Sequence, residues 1–551
     1  MSGPALRVLL IGAAGAFGSR LAAALAAEPG LELIAAGRRP YRLDQLLRSL
    51  PPATLQTATL DRDQLSAADL TRLRAAVVID AAGPFQTATP RVIEASIQAG
   101  CHYIDLADGR AFVAAVPRFD AAAGAAGVAV ISGASSTPAL SHAAIDHLTA
   151  GWRRIDALRV CISPGNRAAP GLAATRAVLS WTGQPVRVFR DGGWTTAPGW
   201  GLTRRVAIPG LGDRLAALAE TADLDLLVER YGPRLTAEML AGLELPILHR
   251  GLAAAGLLVR GRLLRSLAPL APLFHRVAGW CRRAGSDRGG MLVEAVGRDA
   301  EDRPAVARWS LVAGDGQGPA VPTLPALALV RRIRDRKLDL RGAAPCVGLI
   351  GLAELQGDFT RLGITTATER HPLPAPLFAR AMGPRFAALP AATRHIHQPD
   401  PVLILSGSAD VDGADNTPGR VVASLFGLPP AARTVPLRVT IEATAEGGEH
   451  WARVYPARTM RSLMSDPEPD RAVLTEQFGP FRFALQVEPT ADGLTLTPLA
   501  GRLGRWVLPL AVMPRVTARE TADGETHRFD VTITMPLLGR LVHYRGWLRP
   551  A

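Results

Sequence analysis

Three glycines near the start of the chain are the feature that most constrains its fold. The apolar run Leu6–Ile11 precedes Gly12, Gly15 and Gly18, and the alanine-rich stretch Ser19–Ala27 that follows them predicts a helix. A strand, a glycine turn and a helix in this order are typical of the first unit of a dinucleotide-binding fold. There the first glycine permits a tight turn, the second admits a pyrophosphate, and the third lets the helix pack closely on the strand. The free N–H groups at the helix start then face phosphate oxygens.

A secretory signal is the competing interpretation of this segment, because an apolar stretch follows Arg7 and small residues come after it. Three glycines and Arg20 interrupt that stretch, however, and a signal peptide does not need glycines at these positions. The four cysteines are far apart and show no C-x-x-C spacing, which argues against a disulfide scaffold or a local zinc site. We therefore predict a cytoplasmic protein.

The end of the second predicted strand, Leu31–Ala36, bears on the choice of cofactor. Enzymes that use NAD commonly carry an acidic residue here, which holds the ribose 2′-hydroxyl. This chain has Gly37, Arg38 and Arg39 instead. Guanidinium groups attract a 2′-phosphate, so the sequence favours NADP over NAD. The alternative is that the two arginines belong to a solvated loop, since arginine is frequent throughout the chain.

A third informative stretch, Ala76–Gln86, predicts a buried parallel strand that ends at Asp80 and is followed by a turn of very small residues. A turn at the carboxyl end of such a strand passes close to the ribose and nicotinamide of the cofactor. The predicted cofactor-binding residues are therefore Gly12, Ala14, Gly15, Ala16, Phe17, Gly18, Gly37, Arg38, Arg39, Ala82, Gly83, Pro84 and Phe85.

The next predicted strand, Tyr103–Leu106, carries the two candidate catalytic residues, Tyr103 and Asp105. A dehydrogenase needs a group that gives or takes one proton near the hydride carbon, and both residues lie at the expected sheet edge. The alternative is structural: Tyr103 as a core residue of the strand and Asp105 as the cap of the next turn. Asp80, before the small-residue turn, is expected to have a hydrogen-bonding role.

Taken together, these motifs resemble the NADP-binding domain of the saccharopine dehydrogenase-like family. The resemblance covers about residues 1–355 and implies NADP binding and a hydride-transfer fold, without implying saccharopine as substrate. The stretches that match this domain are GAAGAFG (12–18), AGR (36–38), DAAGPFQ (80–86) and AGCHYIDL (99–106). GASSTPALSHAAIDHL (133–148) resembles the family's segment between the sheet and the second domain, and RGGMLVEAVGRD (288–299) and GAAPCVGLIGL (342–352) resemble later segments of the family.

The C-terminal part, about residues 359–550, resembles a domain of unknown function that is often fused behind such reductase-like domains. That resemblance supplies no chemistry. The matching stretches are HWARVYPARTMRS (450–462), EQFGPFRF (476–483), LPLAVMP (508–514) and DVTITMPLLGRLVHYRGWL (530–548).

Composition limits the partners. The formal net charge of +13 would suit nucleic acid, but the basic residues are scattered arginines and aromatic residues make up only 5% of the chain. We therefore predict no nucleic-acid binding. Lys337 is the only lysine, and Ile333 occupies the position four residues before it. The Tyr-x-x-x-Lys pair of short-chain dehydrogenases is thus absent.

The 551 residues suffice for three domains. We predict an α/β chain: a Rossmann-type parallel sheet at 1–150, a second α/β substrate or dimerisation domain at 151–357, and an antiparallel β-rich (α+β) domain at 358–551. The last shows alternating apolar and polar residues from Val402 onward, which predicts a curved sheet or partial barrel. We hypothesise that it encloses an apolar ligand, and a homodimer remains open.

The leucine-rich segment 251–276 contains Arg260, Arg262 and Arg265 and is broken by Pro269 and Pro272, so a membrane-spanning helix is not expected. Packing on the protein core is favoured, and contact with a membrane surface is the alternative.

The pair His395 and His397 lacks accompanying ligands, and we predict no metal site. Two functions remain open. One is an NADP-dependent oxidoreductase for an imine, amine or carbonyl of a modestly apolar small molecule. The other is a non-catalytic nucleotide-binding or membrane-associated lipid-binding module.

Overall fold

The computed structural model describes residues 5–50, 55–168, 171–468, 471–504, 506–509 and 513–551. Part of the LPLAVMP stretch, residues 510–512, therefore lies outside the described residues.

The N-terminal part alternates strands and helices. Its elements are β1 (Leu6–Ile11), α1 (Gly18–Ala26), β2 (Leu31–Gly37), α2 (Pro40–Arg48), β3 (Leu55–Thr59), α3 (Ala67–Leu73), β4 (Val77–Asp80), α4 (Arg91–Gln98), β5 (His102–Asp105), α5 (Arg110–Ala114), α6 (Asp120–Ala125), β6 (Ala129–Ser132) and α7 (Ser141–Leu148).

The middle part mixes hairpins with helices. Its elements are β7 (Arg154–Ser163), α8 (Leu172–Trp181), β8 (Pro185–Arg190), β9 (Gly193–Pro198), β10 (Arg204–Ile208), β11 (Gly212–Leu218), α9 (Asp223–Tyr231), β12 (Thr236–Leu243), α10 (Pro246–Arg260), α11 (Ala271–Trp280), β13 (Gly289–Arg298), β14 (Pro304–Ala313), α12 (Leu324–Arg334), β15 (Gly342–Pro345), α13 (Leu352–Arg361) and β16 (Thr365–Pro372).

The first sheet is parallel, with the strand order β15-β6-β5-β4-β1-β2-β3. Its central strands are buried on both faces, as a parallel sheet covered by helices requires. The register pairs Ile11 with Asp80 and Asp80 with Asp105, so β1, β4 and β5 end together at one edge. The loops that follow these strands therefore meet at that edge.

Local patterns predicted four strands of this sheet, β1, β2, β4 and β5. The expected helix at 19–27 is α1, and the expected strand at 31–36 is β2. The strand β15, by contrast, comes from residues 342–345 and pairs with β6, far from the rest of the sheet in sequence. The division into 1–150, 151–357 and 358–551 stays a prediction.

The second sheet is mixed and has the strand order β10-β11-β12-β7-β13-β14-β16, with the β8–β9 hairpin joined to β12. One of its faces packs against the first sheet's helices in a shared apolar core. The middle part thus lies directly beside the parallel sheet.

The C-terminal part is built almost entirely of antiparallel strands. Its elements are α14 (Leu377–Met382), α15 (Ala391–Ile396), β17 (Val402–Asp412), α16 (Thr417–Leu425), β18 (Ala432–Ala443), β19 (Glu449–Val454), β20 (Thr459–Glu468), β21 (Val473–Phe478), β22 (Phe481–Thr490), β23 (Gly493–Leu503), β24 (Trp506–Val507), β25 (Arg515–Asp523), β26 (Thr526–Met535) and β27 (Gly539–Pro550).

These strands form one sheet, β22-β21-β20-β19-β18-β17-β27-β26-β25-β23-β24, and β22 also pairs with β23. That extra pairing closes the sheet into a barrel, and the two-residue strand β24 lies outside the ring. The predicted fold class, including the antiparallel third part, is confirmed. The predicted curved sheet or partial barrel is in fact closed, because the β22–β23 hairpin joins both ends of the strand order.

Candidate functional site

The glycine turn after β1 has room for no side chain at two of its three glycines. Gly12 has φ +78°, and a Cβ there would lie 3.0 Å from the backbone of Ala81 and Ala82. A Cβ on Gly18 would lie 2.0 Å from the carbonyl oxygen of Gly12, well inside contact distance. Gly15 is exposed, and a Cβ there would be 3.1 Å from the same oxygen. The turn thus has the tight bend and the close helix–strand contact that a dinucleotide cradle requires.

The start of α1 leaves backbone donors free beside this turn. The Gly15 N–H donates to the Gly12 carbonyl at 2.9 Å. Within the described ranges, the N–H groups of Ala14, Ala16 and Phe17 have no acceptor. The first turn of α1 carries no acidic side chain that would offset its positive end, and Ala16 is exposed. These donors suit a phosphate.

Arginine side chains cluster where β2 ends at the half-buried Gly37. Arg38 and Arg39 are exposed, and neither forms an ion pair with a carboxylate in the part of the chain that the structure describes. A hydrogen bond from Arg42 lowers the pKa of the Tyr41 hydroxyl, and the charges of Arg42 and Arg39 act in the same direction. The local potential is therefore positive, as a 2′-phosphate requires.

The loop of Ala82, Gly83, Pro84 and Phe85 is held by a buried ion pair. Asp80 accepts the Ala82 N–H at 2.9 Å and lies 2.8 Å from a guanidinium nitrogen of Arg62. Arg62 also donates to the Ala82 carbonyl at 2.7 Å, and its guanidinium stacks on Phe85. Gly83 remains exposed.

Burial raises the pKa of Asp80, and the charge of Arg62 opposes that rise. The predicted hydrogen-bonding role of Asp80 agrees with this geometry. Sequence reasoning missed Arg62; the available signal was its place just after β3, which ends at the same sheet edge as β4.

Tyr103 and Asp105 are both completely buried. Tyr103 packs in the core on one side of the parallel sheet, and burial raises the pKa of its hydroxyl well above the usual range. Asp105 accepts hydrogen bonds from the backbone N–H groups of Ala107 and Gly133 and from the Ser132 hydroxyl, at 2.7 to 2.9 Å. Burial raises the pKa of Asp105 to about 6. These contacts tie two loops together, and a catalytic role for either residue stays a prediction.

A further acidic group, Asp108, lies in the loop after β5. There it meets the loop after β4 and the start of α9. It accepts a hydrogen bond from the Gln86 side chain at 3.1 Å, and its carbonyl accepts the Ala222 N–H. Burial raises its pKa. Beside it, Arg110 forms an ion pair with Asp225 that joins the two parts of the chain. Sequence reasoning missed Asp108, although it follows β5 by three residues.

No group of three or more metal-ligating side chains occurs among the described residues. His397 is instead buried and lies 2.7 Å from the carboxylate of Glu520.

Two family models match separate parts of the chain. Residues 8–131 match the saccharopine dehydrogenase NADP binding domain, and residues 389–548 match a domain of unknown function, DUF4166. No curated protein sequence matches the chain.

Several solved structures are similar to it. Apo saccharopine dehydrogenase (L-Glu forming) from Saccharomyces cerevisiae shares 14% identity, with 66% of this chain and 99% of that chain covered and a TM-score of 0.48. An amine dehydrogenase from Mycobacterium smegmatis shares 14% identity over 62% of this chain and 95% of that chain, with a TM-score of 0.37. GenD2 from gentamicin A biosynthesis, in complex with NAD, shares 15% identity over 56% of this chain and 73% of that chain, with a TM-score of 0.28.

Proposed function

We propose that this chain, which joins a saccharopine dehydrogenase NADP-binding domain to a DUF4166 domain, is an NADP-dependent oxidoreductase. It would transfer hydride to or from an imine, amine or carbonyl of a modestly apolar small molecule. The observation that carries the proposal is the close approach of Gly18 to the Gly12 carbonyl. A Cβ on Gly18 would lie only 2.0 Å from that carbonyl oxygen. Such close packing places the α1 N-terminus over the turn, where a pyrophosphate binds in this fold.

The residues of the cradle have separate roles in this proposal. The glycine turn and the N–H groups of Ala14, Ala16 and Phe17 hold the pyrophosphate, and Arg38 and Arg39 hold the 2′-phosphate. A bound nicotinamide supplies the carbon that gives or takes the hydride. Asp108 joins Tyr103 and Asp105 as a candidate for the group that gives or takes the proton. Its raised pKa means that it stays protonated to a higher pH than an exposed aspartate does.

The test has two stages. NADPH is first titrated into the protein while its fluorescence is followed, and its consumption is then measured with a panel of imines, ketones and aldehydes. Binding followed by turnover supports the proposal. No binding at millimolar cofactor overturns it, and binding without turnover across the panel favours the non-catalytic module.

We expect the double substitution Arg38→Gln/Arg39→Gln to weaken NADPH binding by about 10- to 100-fold, since two charge-assisted hydrogen bonds are lost. NADH lacks the 2′-phosphate, so its affinity should not change. Arg48→Gln, an exposed arginine at the other end of α2, is the matched control. Equal losses for NADPH and NADH would show that the arginines do not read the 2′-phosphate.

We also propose that the protein docks on an anionic membrane surface through α10, α11 and their connection. The inner face of α10 is buried at His249, Leu252, Gly256 and Val259. Other large apolar side chains along this segment are exposed, whereas a helix that only packs on a core would turn such side chains inward. They are Ile247, Leu257, Leu258, Leu263, Leu264, Leu270, Leu273 and Trp280.

Charge on the same segment supports this partner. Residues 245–286 contain seven arginines and no aspartate or glutamate. Exposed apolar side chains among uncompensated positive charges are typical of helices that lie on anionic lipid. No helix in the described ranges has the length and apolar character needed to cross a bilayer.

Sedimentation with vesicles tests this docking. We expect the protein to bind vesicles containing phosphatidylserine and to bind neutral phosphatidylcholine vesicles at least about 10-fold more weakly, because each arginine near the surface contributes about 1 kcal/mol. Leu257→Ser/Leu263→Ser should lower binding by a similar factor. The control Leu499→Ser/Leu537→Ser removes two exposed leucines of the barrel. Equal binding to both lipids, or equal loss in both variants, would contradict the assignment.

A further inference from the structure

The interior of the C-terminal barrel contains a cavity of about 120 Å³. Side chains alternate between the two faces of each strand, so every second residue points inward. Most inward residues are apolar, such as Leu437, Met464, Leu496 and Phe529, and they form the greater part of the wall. The barrel interior is therefore not filled completely by its own side chains, as the hypothesis of an enclosed apolar ligand requires.

A polar cluster on one wall interrupts this apolar lining. Arg453 and Tyr455 come from β19 and the residue after it, and Glu476 comes from β21. A guanidinium nitrogen of Arg453 lies 3.6 Å from a carboxylate oxygen of Glu476, and another donates to the Ser462 hydroxyl at 3.2 Å. Arg453 also stacks on the ring of Trp451. The guanidinium charge is thus already balanced by a carboxylate.

The Tyr455 hydroxyl of this cluster has no hydrogen-bond partner among the described residues, although the residue is only 5% exposed. The same holds for one carboxylate oxygen of Glu476. Burial raises the pKa of the Tyr455 hydroxyl, so it stays a donor at neutral pH. Buried polar groups normally have partners, and leaving one unpaired is costly.

Glu520, the second carboxylate among the described residues that line the cavity, has partners. Glu520 lies 2.7 Å from a ring nitrogen of His397 and 3.6 Å from one of His527. His397 follows α15, which packs on β25 and β26, and its ring stacks on Phe378. Among the described residues that line the cavity, the buried polar atoms without a hydrogen-bond partner are the Tyr455 hydroxyl, one carboxylate oxygen of Glu476 and Nδ1 of His527. Two of these three atoms belong to the cluster around Arg453.

We propose that the barrel binds a small apolar molecule with a neutral carbonyl group, whose oxygen accepts hydrogen bonds from Tyr455 and Arg453 while its apolar body fills the cavity. A carboxylate fits less well because it would face Glu476 beside a guanidinium that is already paired. A pure hydrocarbon would leave the Tyr455 hydroxyl without a partner. This site is separate from the nucleotide cradle and does not depend on the proposed oxidoreductase activity.

The size of the cavity selects the probes. A dry cavity of about 150 Å³ accommodates benzene. The barrel cavity is somewhat smaller but is not fully closed to solvent, so one aromatic ring with a short substituent is the upper size limit for a suitable probe. Acetophenone, benzoate and α-methylstyrene have nearly the same shape and differ in the group at issue: a neutral carbonyl, a carboxylate and a hydrocarbon. Their affinities for the full chain, without NADP, are measured by calorimetry.

We expect acetophenone to bind at least about 10-fold more tightly than either analogue, as one tenfold step corresponds to about 1.4 kcal/mol, the scale of one hydrogen bond. Tyr455→Phe should remove this preference by lowering acetophenone affinity to that of α-methylstyrene. The variant is expected to fold, because the hydroxyl that it removes has no partner. Equal affinities of the three probes, or a preference that survives Tyr455→Phe, would overturn the proposal.

A second variant tests the location. Ala518→Leu adds bulk inside the cavity and should abolish binding of all three probes, whereas Thr517→Leu adds it on the outer face of the same strand and should not. Binding that survives Ala518→Leu would place the probes elsewhere and overturn the assignment. Arg38→Gln/Arg39→Gln, which tests the nucleotide cradle, should leave acetophenone binding unchanged, so failures of the two proposals are distinguishable.

Discussion

Gly18→Ala is expected to weaken NADPH binding by at least about 100-fold and to destabilise the nucleotide-binding part by about 1–3 kcal/mol or more, as overpacking does. The new Cβ would lie 2.0 Å from the Gly12 carbonyl oxygen and 2.8 Å from its carbon. Both contacts are with backbone, so α1 must move away from β1. The N–H groups at its start would then no longer point at the pyrophosphate. NADPH titration and denaturant unfolding measure the two effects.

Gly251→Ala and Gly279→Ala provide the matched controls. Both glycines are exposed in helices, and a Cβ at either meets no atom within 4 Å. Alanine is a better helix former than glycine by about 1 kcal/mol, so these variants should be neutral or slightly more stable, with unchanged NADPH affinity. If Gly18→Ala bound NADPH as well as they do, α1 would not hold the cofactor and the oxidoreductase proposal would fail.

Arg62→Ala should cost about 3–5 kcal/mol of unfolding free energy at neutral pH, because it leaves the fully buried carboxylate of Asp80 without its charge partner. It also removes the hydrogen bond to the Ala82 carbonyl, so the cofactor loop loses its support and NADPH binding should weaken. Denaturant unfolding at several pH values measures the loss.

The pH dependence has a definite sign. Burial already raises the pKa of Asp80, and removing Arg62 should raise it further. A carboxyl whose pKa is higher in the folded than in the unfolded state takes up a proton on folding, so stability falls as pH rises through that interval. The loss of unfolding free energy in Arg62→Ala should therefore be largest at neutral pH. It should shrink as the pH is lowered toward the ordinary pKa of an aspartate.

Two controls separate the buried charge from a general effect of losing an arginine. The double variant Arg62→Ala/Asp80→Asn removes the unpaired charge and should recover a large part of the stability, while the amide oxygen of the new side chain can still accept the Ala82 N–H. Arg72→Ala breaks an exposed pair with Asp69 and should cost at most about 1 kcal/mol. A deficit in Arg62→Ala that is the same at every pH would rule out the charge as its cause.

The sequence by itself determined the nucleotide turn and its surroundings. Gly18 is needed because the backbone of Gly12, in the preceding turn, occupies the space of a side chain, and that constraint is visible in a short stretch of sequence. Gly12 is needed locally because of its positive φ, whereas its contact with Ala81 and Ala82 forms only in the folded sheet. The alternation of strands and helices, and the arginines at the end of β2, are local in the same sense. The period-two pattern of the C-terminal strands is local as well. It predicts which face of each strand is buried, but it does not predict which strands pair with each other.

Only the tertiary structure decided the features that depend on residues distant in sequence. Arg62 meets Asp80 because β3 and β4 end at one sheet edge. Tyr103 and Asp105 are buried because helices and loops from other parts of the chain cover the two faces of the parallel sheet. The barrel closes through a single pairing of β22 with β23, which leaves Tyr455 facing a cavity. Periodicity and spacing carry no information about such contacts, since they arise only when the sheets form and bring separate segments together.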